Sequence, residues 1–165
     1  MIEKQIEAKI AAALRSLALD GLQVVGAWES CAAGSVRNCE TAESTAEAAV
    51  AVGVRSYPNY TIPTVEIPGT IAIAVRIERD PTGDRFDAYA SGVAALLDNW
   101  HRDICAADGA GALDVEGFNA AGFSMTGGGA PTIDRAAGVA SVAFSFTISG
   151  CMVAPEPPTN SEEEQ

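Results

Sequence analysis

The stretch from residue 71 to residue 100, "IAIAVRIERDPTGDRFDAYASGVAALLDNW", decides the fold class. Its beginning alternates branched apolar residues with alanine and charged residues, which is typical of a β-strand with one buried face. After the turn sequence "DPTGD", the apolar residues recur at spacings of three and four, as they do in an amphipathic helix. A strand and a helix in direct succession indicate a fold that mixes the two.

The helix of this stretch is predicted to begin near Asp84, whose carboxylate is placed to cap the free amides of the first turn. An amphipathic helix of this kind packs its apolar stripe on the core. The stripe is expected to consist of Phe86, Tyr89, Val93, Leu96, Leu97, Trp100 and Ile104.

A second amphipathic helix is predicted at the start of the chain, with Asp20 and Gly21 as its natural stop. Its apolar side is formed by Ile2, Ile6, Ile10, Leu14 and Leu17, with Ala13 beside them. The sequence "LQVVGAW" that follows is compatible with a short strand. Residues 29–47 form an insert that is compatible with a long surface loop or with a short alanine-rich helix.

Alternating patterns predict four main strands. One contains Val50, Val52 and Val54, the next contains Ile71, Ile73, Val75 and Ile77, and a third runs from Phe118 to Thr126. In the last strand Val142, Phe144, Phe146 and Ile148 are expected to face the core, and Ala143, Ser145, Thr147 and Ser149 to face away from it.

The connection between the first two of these strands, residues 57–70, contains three prolines. Because proline cannot donate a ladder hydrogen bond, this connection is predicted to be an extended arm or an edge segment. The acidic, proline-rich tail, residues 152–165, has almost nothing apolar to bury and is predicted to be disordered. Together these elements predict one α+β domain over residues 1–151. Its expected order is α-β-β-α-β-β, with a four-stranded, mainly antiparallel sheet and two helices packed on one face.

Three consecutive glycines, Gly127 to Gly129, lie between the last two strands in "FSMTGGGAPTID". A phosphate-binding loop would need a helix N-terminus and a lysine, but strands flank this segment and its nearest cation, Arg135, lies beside Asp134. We therefore predict a hairpin connection in which the glycines adopt positive φ and Pro131 stiffens the return.

The charge balance argues against nucleic acid as a direct partner. Ten Lys and Arg residues against 22 Asp and Glu residues give a net charge of -12, which a phosphate backbone would repel. No apolar run approaches the roughly 18 residues of a membrane span, so no membrane association is expected. The four cysteines, Cys31, Cys39, Cys105 and Cys151, contain no C-x-x-C pair and are expected to be reduced thiols. A pairing of Cys31 with Cys39 stays open.

No metal or catalytic constellation is predicted. His101 precedes Cys105 by four residues, but two ligands do not make a zinc site. The glutamates at positions 43, 47 and 162 to 164 lack the spacing of a ligand loop and are expected to form a solvated acidic surface. We therefore predict no catalytic, cofactor-binding or metal-binding residue and no enzymatic activity.

In layout the chain resembles the tail terminator family of long-tailed bacteriophages. The similarity lies in the first helix, "VEIPGTIAIAVRIERDPTG", "FDAYASGVAALLDNW", "GFSMTGGGAPTID" and "VASVAFSFTISG", and covers about residues 48–151 besides that helix. It implies a structural virion protein that forms a homo-oligomeric ring, commonly a hexamer, and ends polymerisation of the tail tube. The expected partners are the tail tube protein and a neck or head-completion protein. The expected location is the head-tail junction of the virion, and the host cytoplasm during assembly. Another neck or tail-tube subunit is the alternative of the same class.

An enzymatic alternative rests on a second resemblance. "WESCAAGSV" together with "SMTGGGAPTIDRAAGVASVAFSF" is similar to the nicotinamide mononucleotide deamidase family, which implies amide hydrolysis with Ser30 as the nucleophile. The chain departs from that family where Ala32-Ala33-Gly34 stands in place of Thr-Gly-Gly.

Overall fold

The structure is a computed structural model, and it describes residues 1–28, 46–58, 63–105 and 111–154. The elements are helix α1 (Ile2–Ser16), strands β1 (Leu22–Gly26), β2 (Ala46–Val52) and β3 (Thr64–Arg76), a 3₁₀ turn (Ile77–Arg79), helix α2 (Asp84–Cys105), and strands β4 (Phe118–Gly128), β5 (Thr132–Asp134) and β6 (Val139–Met152). The predicted α+β class is confirmed.

The sheet differs from the predicted four mainly antiparallel strands. Within the described residues it has six strands in the order β1-β2-β3-β6-β4, and β5 also pairs with β6. β1 runs parallel to β2, whereas the other neighbouring strands are antiparallel. The sheet is therefore mixed, and the order of the elements given above, which cover the described residues, is α-β-β-β-α-β-β-β. The additional strands are the two short ones, β1 and β5.

The two long central strands, β3 and β6, are paired from Thr64 opposite Cys151 to Arg76 opposite Val139. Because side chains alternate along a strand, one face of the sheet is apolar and buried, while the other face is exposed or half-buried along β2, β3, β4 and β6. The buried set comprises Ala46, Ala48, Val50, Val52, Val65, Ile67, Ile71, Ile73, Val75, Val142, Phe144, Phe146 and Ile148. The core side predicted for the last strand is confirmed. Val54, which lies beyond the end of β2, is 84% exposed, and Ile77 belongs to the 3₁₀ turn.

Helix α1 packs on β1 and β2. Ile2, Ile6, Ile10 and Leu14 are buried as predicted, and Leu17 and Ala13 are partly buried against the same cluster. The helix ends at Ser16, before the expected stop at Asp20 and Gly21. Two left-handed residues, Ala18 (φ 50°) and Gly21 (φ 77°), turn the chain toward β1.

Helix α2 packs on β3, β4 and β6. Its predicted stripe is buried except for Leu96, which is partly buried. Both helices share one apolar cluster with the buried face of the sheet, so the prediction of two helices on one face is confirmed.

The residue that caps α2 is Asp80, not Asp84. Asp80 accepts hydrogen bonds from the amide of Arg85 at 3.2 Å and from that of Phe86 at 2.9 Å. Asp84 is already the first helical residue, so it lies beyond the position from which a side chain caps the first turn. The 3₁₀ turn holds Asp80 beside the helix, where it is only 8% exposed.

The second half of the predicted proline-rich arm is a strand, since residues 64–70 belong to β3 in the middle of the sheet. Pro68 is tolerated there because its carbonyl accepts from the amide of Gly53 at 2.8 Å, on the side of β2. The amide and carbonyl of one strand residue point to the same side. The missing N–H of Pro68 therefore faces the region where β2 has ended, and the ladder to β6 stays intact.

The glycine run is not the turn of the hairpin. Gly127 and Gly128 lie in β4 opposite Ser145 and Phe144, after a break in register. The chain reverses later, where Asp134 accepts from the amides of Ala136 and Ala137 at 3.0 Å each. The expected positive φ is found at Gly128 (102°) and Gly129 (87°). At Gly128 a β-carbon would lie 1.9 Å from the carbonyl oxygen of Ala143, so the backbone of β6 occupies the space of a side chain.

The predicted insert at 29–47 begins outside the described residues and ends inside β2, which starts at Ala46. The predicted disordered tail begins with Met152, which is the last residue of β6. Residues 155–165 of that tail lie outside the described residues.

Candidate functional site

Ser30, the nucleophile implied by the enzymatic alternative, lies outside the described residues. The same holds for Cys31, Cys39 and Glu43. Cys151 is described and carries an exposed free thiol on β6.

His101 lies on the exposed side of α2, and its Nδ1 is 2.7 Å from the carbonyl oxygen of Phe123 in β4. Because a carbonyl oxygen only accepts hydrogen bonds, Nδ1 carries the proton. The side chain of Cys105 lies outside the described part of the chain. Over the ranges that the structure describes, no three His, Cys, Asp or Glu side chains are grouped to hold a metal ion.

Among the described residues, neither helix covers the second face of the sheet. We call it the open face and define it as the side chains that point away from both helices. The strand register places them in rows that cross the sheet. One row contains Ala51, Thr70, Ser145 and Gly127, and the next contains Val25, Ala49, Ala72 and Ala143. Val25, at the β1 end of its row, is only 4% exposed. Ala74, Ser124, Thr147 and Ser149 extend the same face, and apart from Val25 all of these residues are exposed or half-buried.

The open face has small, uncharged side chains at its centre. None of its central side chains is larger than threonine, and charged residues appear only toward its margin, at Glu47, Glu66 and Arg76. Its hydroxyl groups can donate and accept hydrogen bonds. At the centre of the face no histidine or carboxylate lies beside these hydroxyl groups, whereas at its margin Glu66 lies directly opposite Ser149. The small, uncharged side chains at the centre of the open face are suited to contact with another surface.

The outer edge of β4 borders this face and is covered over half of its length. Val115 exchanges two backbone hydrogen bonds of 3.0 Å with Phe118. The carboxylate of Asp114 accepts from the amide of Ala120 at 2.7 Å, and His101 donates to Phe123 as described above. Such contacts occupy the backbone groups that an edge strand would otherwise offer to another strand.

The second half of β4, from Ser124 to Gly128, contains no charged residue. Met125 in this half is 42% exposed, and Ile133 in the neighbouring β5 is 61% exposed. Charged side chains are a common protection of edge strands, and this half lacks them.

The polar residues that the sequence did not predict are Glu3 and Glu7 of α1, which are 4% and 2% exposed. One oxygen of Glu3 accepts from Nε of Arg55 at 2.9 Å and from the amide of Arg55 at 3.3 Å. Glu7 accepts from the amide of Trp28 at 2.8 Å. In the sequence both glutamates look like solvent-exposed neighbours of the apolar stripe. Their burial depends on partners 21 and 52 residues away, which no local pattern indicates.

No described helix is both long enough and apolar enough to cross a membrane. No model of a known protein family matches the chain, and no curated protein is significantly similar to it.

Proposed function

We propose that this chain is a structural virion protein of a long-tailed phage, a tail terminator that forms a ring on the end of the tail tube. The proposal starts from the resemblance in element layout. The observation that carries it further is the open face of the sheet, whose centre is uncharged and which has both helices on the opposite side.

The composition of the open face favours a protein partner. A mixed sheet with one face covered by helices leaves its other face free for contact, and small side chains allow a second surface to approach closely. The chain as a whole carries a net charge of -12, so two copies repel one another across most of their surfaces. An uncharged face is where that repulsion is weakest, which supports self-association through this region.

A ring requires head-to-tail contacts, in which one region of a subunit binds a different region of the next. The second half of the β4 edge provides a distinct region beside the open face, with exposed Met125 and Ile133. On the basis of the same resemblance, we propose that the ring is a hexamer. Its proposed partners are the tail tube protein and a neck or head-completion protein. The proposed location is the head-tail junction of the virion, and the host cytoplasm during assembly. A different neck or tail-tube subunit would use the same surfaces.

The oligomeric state of the purified protein and its presence in virions test this proposal. Light scattering after size-exclusion chromatography over a range of concentrations, followed by electron microscopy, is expected to give rings with a central opening. Purified virions are expected to contain the chain at one end of the tail tube. A protein that stays monomeric and is absent from virions would contradict the proposal, and absence from virions is the stronger result because docking to the tube can precede ring closure.

A further inference from the structure

An ion pair holds the start of α1, and in it the side chain of Glu3 is buried whereas that of Arg55 is 26% exposed. Glu3 accepts both bonds from Arg55 through one carboxylate oxygen, at 2.9 Å and 3.3 Å. The other oxygen of Glu3 is buried and has no hydrogen-bond partner among the described residues. Leaving a buried carboxylate oxygen unsatisfied is costly, so this contact is only partly favourable to the folded state.

Arg55 joins three parts of the chain. It lies just after β2, binds Glu3 at the start of α1, and donates through Nη1 to the sulfur of Met152 at the end of β6, at 3.4 Å. A thioether is a weak acceptor, so this third bond adds little. The backbone beside Arg55 is fixed independently, because Ser56 and Glu66 exchange two hydrogen bonds of 2.8 and 2.9 Å.

Within the part of the chain that the structure describes, the first turn of α1 has few other restraints. Helix termini leave their first amides without intrahelical partners, and here no side chain caps them. Ile2, the apolar anchor of this turn, lies at the edge of the core with 9% exposure and approaches Gly117. The turn is therefore held mainly by Ile2 and by the ion pair.

We infer that Glu3 and Arg55 form a latch at which the fold opens locally, releasing the first turn of α1 while the sheet stays folded. Opening uncovers Ile2, which lies with the backbone of Val153 beside Gly117. Val153 and the residues on either side of Arg55, Val54 and Tyr57, are already exposed. The latch thus controls the extent of apolar surface at this end of the molecule. This inference does not depend on the proposed function, since it concerns the folded chain alone.

Hydrogen exchange of the full chain, read amide by amide, tests the latch. Arg55→Met leaves Glu3 buried without its partner and is expected to speed exchange of the amides of residues 5–8 by about tenfold or more, because an uncompensated buried charge favours opening. Amides in the centre of β3 and β6 are expected to exchange at their original rates. Arg79→Met is the matched control, since it removes the same charge from an exposed position.

The double variant Glu3→Leu with Arg55→Met separates the latch from a general loss of packing. Replacing both partners of a buried ion pair by apolar groups is often neutral or stabilising, so this variant is expected to restore slow exchange in the first turn. The inference is overturned if Arg55→Met speeds exchange equally throughout the sheet, unfolds the chain, or leaves the first turn unchanged. It is also overturned if the double variant exchanges there as fast as Arg55→Met.

Discussion

Gly69 lies directly opposite Phe146 in the central pair of strands, and the ring of Phe146 occupies the space of a side chain at position 69. A β-carbon on Gly69 would come within 2.4 Å of two ring atoms. The same ring stacks on Phe123 at 5.2 Å between centroids. The absence of a side chain at Gly69 is therefore a condition for the aromatic packing beneath α2.

Gly69→Ala is expected to destabilise the protein by about 1–3 kcal/mol, because the Phe146 ring must leave its position in a packed core. Urea unfolding measures this free energy. Gly127→Ala is the matched control, since a β-carbon there meets nothing within 4 Å, and it is expected to change stability by less than about 0.5 kcal/mol. Equal losses in the two variants would show that the Phe146 contact is not the cause.

The N-terminal cap of α2 can be tested by comparing the stabilities of two alanine variants, one at Asp80 and one at Asp84. Asp80→Ala removes the acceptor of the Arg85 and Phe86 amides and is expected to cost about 0.5–2 kcal/mol. Asp84→Ala, which leaves that acceptor in place, is expected to cost clearly less. Thermal unfolding measures the stability of both variants. A larger loss of stability for Asp84→Ala would show that Asp84, as predicted from the sequence, is the capping residue.

The parts of the fold that followed from sequence are those in which one local pattern determines burial. The stripe of α2 and the alternation of β6 each repeat often enough to identify the buried side. The prediction of an arm or edge segment around Pro68 was wrong. A missing N–H weakens a strand only on the side where a neighbouring strand would accept it, and the sequence did not indicate that β2 ends before it reaches Pro68. The prediction for the glycine run was also wrong, since β4 continues through Gly127 and Gly128 and β5 still pairs with β6, so that the chain turns only after Asp134.

The candidate site was less predictable than the fold. The open face could be inferred only in part, from Ala143, Ser145, Thr147 and Ser149 of the last strand, because its rows depend on pairing between distant segments. The burial of Glu3 requires Arg55, 52 residues away. The parallel pairing of β1 with β2 joins strands that are separated by residues 27–45. Parallel strands are not connected by a tight turn, so no turn sequence predicts this contact.

The proposed role of the open face is tested by one charged substitution. Ala143 is exposed at the centre of this face, on β6. Ala143→Arg is expected to abolish or strongly weaken ring formation by placing a large charged side chain in the contact, while the free energy of unfolding of the monomer changes by less than about 1 kcal/mol. Ala95→Arg, on the exposed side of α2, is the control and is expected to assemble normally. Light scattering measures the assembly state of both variants. If Ala143→Arg forms rings at the same protein concentration as the original protein, the open face is not the interface.

Tyr89 links α2 to the turn before β1, since its hydroxyl donates to the carbonyl oxygen of Asp20. Burial raises the pKa of Tyr89 above its usual value; the Arg85 guanidinium opposes this shift, and Asp20 and Asp80 add to it. A raised pKa means that folding favours the protonated phenol. The contribution of Tyr89 to stability is therefore complete below about pH 10 and is lost as the pH rises through the pKa of the folded state.

Tyr89→Phe is expected to cost about 1 kcal/mol at pH 7 through loss of the Asp20 hydrogen bond. Above about pH 10, the difference in stability between the original protein and the variant is expected to shrink, because only the original protein has this phenol to ionise. Urea unfolding between pH 7 and pH 11 measures the difference, and the tyrosinate absorbance of the original protein should contain a late step that the variant lacks. A difference that stays constant over this range would mean that folding does not shift the ionisation of Tyr89.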